Sequence, residues 1–417
     1  MRNAPFWWIF LAILLILDWY VFQAIRTVTA GLPVRGRLIW HAVYWSITAM
    51  SILLVILLPY FFSKPGPHYA RSILFALVAG LFFAKLIASL FFLTDDLRRV
   101  LQWVGYQVLP KNKNVTSTDV LFSRSVFLSW AGLVAGAGLF SALSYGINNR
   151  YRYQVRKLKL NFPTLPALFD GLKIVQLSDI HAGSFTDPLA VERGIKMVME
   201  QQPDLILFTG DLVNNLASEM DDYWPLFAQL KAPLGVFSIT GNHDYADYVQ
   251  WESLEQKRAN FEKLKAVHAQ MGWQLLMNQH VVITRNQSSI GIIGIENWSA
   301  KSRFPKYGNF KKAFAGAAEI PFSILLSHDP SHWRAEILEQ YPTVALTLSG
   351  HTHGMQFGFE IPGLQWSPVQ YVYNEWAGLY KHAKQALYVN RGFGFIGYPG
   401  RVGILPEITV IELFSKD

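Results

Sequence analysis

Four long apolar stretches, at about 6–25, 38–62, 70–93 and 125–147, constrain this chain more than any other feature of it. Each reaches the roughly 20 residues that carry a helix across a hydrocarbon core. Backbone polar groups find no water there, so such stretches are restricted to helices. Trp7, Trp8, Trp19 and Tyr20 lie near the ends of the first stretch, where aromatic rings anchor at an interface. Gly132, Ala135, Gly136, Ala137 and Gly138 give the fourth a surface that admits a neighbouring helix closely. Four crossings put both termini on the same side. Lys and Arg flank the two sides eight against eight, so they assign neither. Two charges interrupt the apolar runs, Asp18 in the first and Lys85 in the third. At 1.5 Å per residue their depths are about 18 and 22 Å. The spacing predicts an ion pair between neighbouring helices, or two side chains that each snorkel to the nearer interface.

The formal charge of +8 is unevenly spread. Residues 1–149 hold 12 of the 37 Lys/Arg and 4 of the 29 Asp/Glu, which leaves 25 of each for the remainder. The excess therefore surrounds apolar segments, as suits membrane lipids, and no basic stripe marks a nucleic-acid partner on the balanced part. The absence of cysteine excludes disulfides and thiolate ligands. Any transition metal must rest on His, Asp, Glu or Asn.

Residues 1–149 thus read as a transmembrane region and 150–170 as a linker, basic at first and then carrying Pro163 and Pro166. From 171 to 417 the pattern changes to short apolar runs alternating with amphipathic ones. Strands are predicted at 173–177, 205–209, 236–239, 279–284, 290–294, 322–327, 344–348 and 407–413, with helices at 187–202, near 219–230 and at 251–271. Alternating strands and helices indicate an α/β domain, and its strand-rich later part indicates a second sheet, hence a two-sheet sandwich.

Polar clusters recur where these strands end. They are Ser178-Asp179-Ile180-His181, Thr209-Gly210-Asp211, Gly241-Asn242-His243-Asp244, Ser327-His328-Asp329-Pro330 and Ser349-Gly350-His351-Thr352-His353-Gly354. Asp, Asn and Gly favour turns for their own reasons. Five strand-end clusters, all with potential metal ligands, instead fit a two-metal hydrolase. Two divalent ions about 3.5–4 Å apart hold a phosphoryl oxygen and bring bound water towards neutrality as the nucleophile. Dications that close need an anion between them, so one carboxylate is expected to bridge. Neutral imidazole and amide ligands keep the site positive enough to attract phosphate.

The order Asp-x-His, Gly-Asp, Gly-Asn-His-Asp, a later His and Gly-His-x-His resembles the calcineurin-like metallophosphoesterase superfamily over roughly 171–414, closest to its bacterial membrane-anchored branch. The resemblance implies that Asp179, His181 and His353 hold one divalent ion and that Asn242, His328 and His351 hold the other, with Asp211 bridging. It also implies that His243 contacts phosphate or protonates the leaving oxygen, and that Asp244 orients it. The metals would be Mn, Zn, Fe or Mg. Met355 departs from the branch, standing where a second glycine usually precedes Gln356.

Arg401, near the end of the Gly-rich stretch 392–403, is a candidate to pair with a substrate phosphate or with a surface carboxylate. His268, His280, His332 and His382 lie outside the clusters and read as packing or surface residues. Phe357, Phe359, Trp366, Tyr371, Tyr373, Trp376 and Tyr380 follow the last ligand loop, so part of this segment should wall the site. Core packing accounts for most of them, and the rest can form an apolar approach for a lipid or a membrane-facing rim. The reading is a multi-pass cell-membrane phosphoesterase working through metal-activated hydroxide, with a phosphoester substrate that the tether and the aromatic segment suggest is lipid or lipid-linked. The alternative is a non-catalytic membrane sensor or scaffold that binds a phosphorylated ligand.

Overall fold

Main-chain hydrogen bonding in the computed structural model, which describes residues 4–62, 68–108 and 123–416, begins with four helices. They run over Ala4–Thr29, Val34–Phe62, His68–Val108 and Val126–Gly146, and each contains a window long and apolar enough to cross a membrane. The side chains of Trp7 and Trp8, and the segments with Lys64, Lys111 and Lys113, lie outside the described residues. The third helix runs 15 residues past the expected end at 93. Its extra turns carry Asp95, Asp96, Arg98 and Arg99, whose charges are paired there. Arg98 and Arg99 bind Asp95 and Asp96 at 2.9 Å each, and Asp95 also accepts the Ser125 N–H at 2.9 Å, ahead of the fourth helix. Of the small residues of the fourth helix, Gly132 and Gly136 have the packing role expected of them, whereas Ala137 and Gly138 are exposed. A Cβ on Gly136 would sit 2.6 Å from the Ala84 carbonyl, and one on Gly132 2.8 Å from that of Ala88, so only glycine allows the third helix this close.

Asp18 and Lys85 meet as a buried ion pair between the first and third helices. The second helix completes it, since Thr48 Oγ1 and Tyr44 OH donate to the same Asp18 Oδ1 at 2.6 and 3.0 Å. An intramembrane charge is tolerable when its hydrogen-bonding capacity is filled in this way.

Contacts divide the chain into Met1–Tyr145 and Gly146–Asp417. The second unit holds two six-stranded sheets. One has the order β1-β14-β2-β3-β4-β5, from Gln154–Asn161 (β1), Glu407–Phe414 (β14), Leu172–Leu177 (β2), Leu205–Phe208 (β3), Val236–Ser238 (β4) and Gln274–Leu275 (β5). The other has the order β12-β13-β9-β8-β7-β6, from Gly378–His382, Gln385–Val389, Val344–Ser349, Ser323–Leu326, Ser288–Gly294 and Gln279–Arg285. A separate hairpin pairs Phe359–Ile361 (β10) with Leu364–Trp366 (β11). Strand periodicity explains the layering. In β3, Leu205 and Leu207 join a core with Ile324 and Leu326 of β8, whereas Ile206 and Phe208 join the core under the helices Pro188–Met199 and Leu254–Gln270. Both faces of such a strand are buried, so it reads as an uninterrupted apolar run. Each fully buried Leu or Ile contributes about 1.5–3 kcal/mol.

The expected linker is partly structured. Its residues 154–161 form β1, which pairs in parallel with β14 from Gln154↔Glu407 to Asn161↔Phe414. Arg156, Lys157 and Lys159 decorate this edge strand, and such charges discourage edge-to-edge association. The helix expected near 219–230 is two short turns, Ala217–Met220 and Trp224–Phe227.

Candidate metal centre

The loops leaving β2, β3, β4, β8 and β9 converge because their parent strands are neighbours, and they carry all five polar clusters. Five of the chemistry-bearing residues turn the chain sharply in the left-handed region, with φ of 53° at Asp179, 49° at His181, 60° at Asp211, 71° at His351 and 52° at His353. Non-glycine residues adopt this conformation at a cost, and they do so mainly at functional sites. Close approach is obligatory at Gly350, where a Cβ would lie 2.2 Å from Asp179 Oδ2, and at Gly241, where it would lie 2.3 Å from Asp211 Oδ1.

Two ligand sets result. In the first, His353 Nε2 lies 3.3 Å from Asp179 Oδ1 and 3.1 Å from His181 Nε2. In the second, His328 Nε2 lies 3.1 Å from Asp211 Oδ2 and 3.2 Å from His351 Nδ1. The sets are joined by one atom, for Asp211 Oδ2 is also 3.6 Å from His181 Nε2. Asn242 stands in the same cleft. Its Nδ2 donates to Tyr248 OH at 2.9 Å, while its buried Oδ1 has no partner among the described residues. Converging imidazole nitrogens, carboxylate oxygens and an orphaned amide oxygen form a donor set that fits a pair of divalent cations.

The surroundings set the state of these donors. Burial holds the His181 imidazole well below its ordinary pKa and also lowers those of His351 and His353, so they present neutral nitrogens. Burial opposes charge on His328 too, but the Asp211 and Asp179 carboxylates raise it to about 10. Burial alone would raise Asp179 and Asp211, yet His353 and His328 respectively hold them below the usual carboxylate range. His328 Nδ1 donates to the Thr209 carbonyl at 2.8 Å, fixing the ring with Nε2 inward. His351 is fixed from the other side. Tyr373 OH donates to Asp329 Oδ2 at 3.0 Å and accepts from His351 Nε2 at 3.0 Å, which leaves Nδ1 as the inward nitrogen.

Two roles expected from sequence are not what the geometry gives. Asp244 does not orient His243. It accepts main-chain N–H groups from Gly241 at 2.8 Å, Leu212 at 2.9 Å, Asp211 at 3.0 Å and Val213 at 3.3 Å, and so ties the β3 and β4 loops together. His243 is oriented by the Asn214 carbonyl, 2.7 Å from its Nδ1. Arg401 pairs with no surface carboxylate; its Nη2 lies 3.2 Å from Nδ1 of His353, behind the first ligand set. It is fully buried and donates to the carbonyls of Arg391, Gly392 and Gly394, because that Gly-rich loop turns its carbonyls inward.

A cleft of about 530 Å³ opens over the two sets. Arg303, Tyr248, Phe304 and Tyr373 line it, together with Met355, Val369, Val372 and Ile396. Arg303 and Tyr248 escaped sequence reasoning because neither belongs to a strand-end cluster. Met355 does reach the cleft, and it takes the left-handed conformation (φ 55°) that the usual glycine would supply. Of the other histidines, His268 and His332 are buried against Ser238 and Ser327, as packing residues.

A two-sheet α/β sandwich that gathers carboxylates, imidazoles and an amide around one shared oxygen at its strand ends defines a metallohydrolase. The family model described as "Calcineurin-like phosphoesterase" matches residues 172–355, and that described as "Probable Calcineurin-like phosphoesterase, transmembrane domain" matches residues 1–150. The "Uncharacterized metallophosphoesterase YkuE" of Bacillus subtilis is 33% identical over 307 residues, covering 71% of this chain and 99% of its own. The chain belongs to the calcineurin-like phosphoesterase family, whose members are metal-dependent phosphoester hydrolases, and is a multi-pass membrane protein. A "Transmembrane protein with metallophosphoesterase domain" of Danio rerio is 33% identical over 279 residues, 64% of this chain and 59% of the fish protein. The "UDP-2,3-diacylglucosamine pyrophosphatase LpxG" of Chlamydia trachomatis is 29% identical over 286 residues, 58% of this chain and 83% of the relative.

Proposed function

We propose that this chain hydrolyses a phosphoester of a lipid or lipid-linked molecule in the cell membrane. The observation that carries the reading is the double character of the cleft, where His243 and Arg303 share the lining with Met355, Val369, Val372 and Ile396. A free nucleotide or other soluble phosphoester needs the first group of side chains and not the second. The chlamydial relative supports this reading, since its name gives an acylated sugar nucleotide as substrate.

Asp179, His181 and His353 would hold one divalent ion, and Asn242, His328 and His351 the other, with Asp211 serving both. When bound, Mn, Zn, Fe or Mg ions supply Lewis acidity to the phosphoryl group and lower the pKa of water at the site. Arg303 meets the charge of the phosphoryl oxygens at the cleft mouth. His243 gives its Nδ1–H to Asn214, so its Nε2 is the nitrogen available to the substrate. As water adds to phosphorus and the ester P–O bond breaks, protonated His243 delivers its Nε2 proton to the leaving oxygen. Asp244 fixes the loops that position His243 and Asp211.

The test compares purified full chain in mixed micelles on phosphatidic acid, UDP-2,3-diacylglucosamine, its unacylated counterpart and soluble nucleotides, with each of the four metals. Acylated substrates should be turned over best. Preference for soluble nucleotides over every acylated compound would contradict the proposal.

A further inference from the structure

The β10–β11 hairpin is amphipathic in an unusual sense, because its apolar face points outward. Its pairing Phe359↔Trp366, Glu360↔Gln365 and Ile361↔Leu364 puts Phe359, Ile361, Leu364 and Trp366 on one face and Glu360 on the other. Glu360 faces the domain, where it binds Arg391 and Arg156. Among the described residues, nothing buries the opposite face. Ile361 is 58% exposed, Leu364 54% and Phe359 42%, and the nearby loop adds Tyr371 at 78%. A contiguous apolar surface of this kind marks an interaction site.

Its position in the chain identifies what covers it. Gly146, the last residue of the fourth helix, accepts the Arg401 N–H at 2.8 Å. The adjacent Val402 carbonyl accepts the N–H of Gly358, immediately before β10, at 2.9 Å, and Val402 also bridges Phe357. The hairpin is therefore stitched to Gly146, the residue at which the chain leaves the fourth helix. Two strand-to-strand steps, the residue from Arg401 to Val402 and the four from Gly358 to Pro362 put its tip within about 28 Å of Gly146, whichever way it points. Helix ends of this kind lie at the membrane interface, where Trp and Tyr are favoured beside aliphatic side chains. We propose that the β10–β11 hairpin docks its Phe359/Ile361/Leu364/Trp366 face on the bilayer interface. The docked hairpin follows the ligand loop directly, so it holds the catalytic cleft at the lipid surface. The inference is independent of which phosphoester is cleaved.

The chain contains no cysteine, so single nitroxide labels report one site each. The full chain with Ile361→Cys, Leu364→Cys, Gln365→Cys or Leu254→Cys is labelled and reconstituted in 3:1 phosphatidylethanolamine/phosphatidylglycerol vesicles. Power saturation then compares collisions with oxygen, which enters lipid, and with a water-soluble nickel complex. Labels at 361 and 364 should favour oxygen, whereas those at 365 and 254 should favour nickel. Nickel preference at 361 and 364 equal to that at 254 would overturn the proposal. So would dipolar broadening between 361 labels without a gain in oxygen access, because a second copy would then cover the face.

Discussion

His243 shows how a single main-chain contact defines a proposed chemical role. With Nδ1 donating to Asn214 at 2.7 Å, the ring has one nitrogen for the substrate and none engaged by the ligand sets. His243→Ala should therefore retain its metals, measured by elemental analysis, yet lose roughly 10²–10⁴-fold in turnover. The loss should be smaller for a nitrophenyl ester, whose leaving group needs no proton. Equal losses for good and poor leaving groups would point to phosphate positioning instead. Residue types at the site were legible because His and Asp stood directly after buried strands. Side-chain direction was not. Asp244 adjoins His243 in sequence but reaches back to main-chain groups at 211–213, and Arg401 is enclosed by carbonyls of a loop whose course composition does not reveal.

At the level of elements, the strands of the interior were readable from uninterrupted apolar runs, and β1 was not. Its charges resemble a linker, and the partner that makes it a strand lies some 250 residues away in β14. That junction rests on a buried ion pair. Arg391 Nη1 binds Glu407 Oε2 at 2.6 Å, and Thr409 Oγ1 donates to Glu407 Oε1 at 2.6 Å. Burial would raise the Glu407 carboxyl, but Arg391 and Arg156 hold it below the ordinary glutamate value. Its contribution to stability is thus complete above the unfolded pKa of about 4.3 and is lost as pH falls through the lower folded value. Glu407→Gln should cost about 1.5–3 kcal/mol at pH 7, since it removes the charged partner of Arg391 Nη1 while Glu360 still holds the other edge of the guanidinium. The gap in thermal midpoint between variant and parent in detergent should close as pH drops below about 4. A gap that stays constant with pH would assign the loss to packing.

The whole molecule joins a helical membrane region to a phosphoesterase domain, and each part has its own polar interior. In the membrane region the carboxylate of Asp18 gathers Lys85, Thr48 and Tyr44. Either single charge reversal, Asp18→Lys or Lys85→Asp, should abolish accumulation. The double exchange should restore part of it, because Thr48 and Tyr44 are placed to serve a carboxylate at position 18. No recovery in the double variant, measured by immunoblot of membranes, would show that the pair does not hold the helices together. In the domain, the proposed chemistry has two ions sharing Asp211 and hydrolysis dependent on both. Its most direct test titrates the metal-free full chain with Mn²⁺ while following hydrolysis of a nitrophenyl phosphoester. Activity should rise to a plateau reached at two equivalents per chain. A plateau at one equivalent, or full activity in chelator, would contradict it.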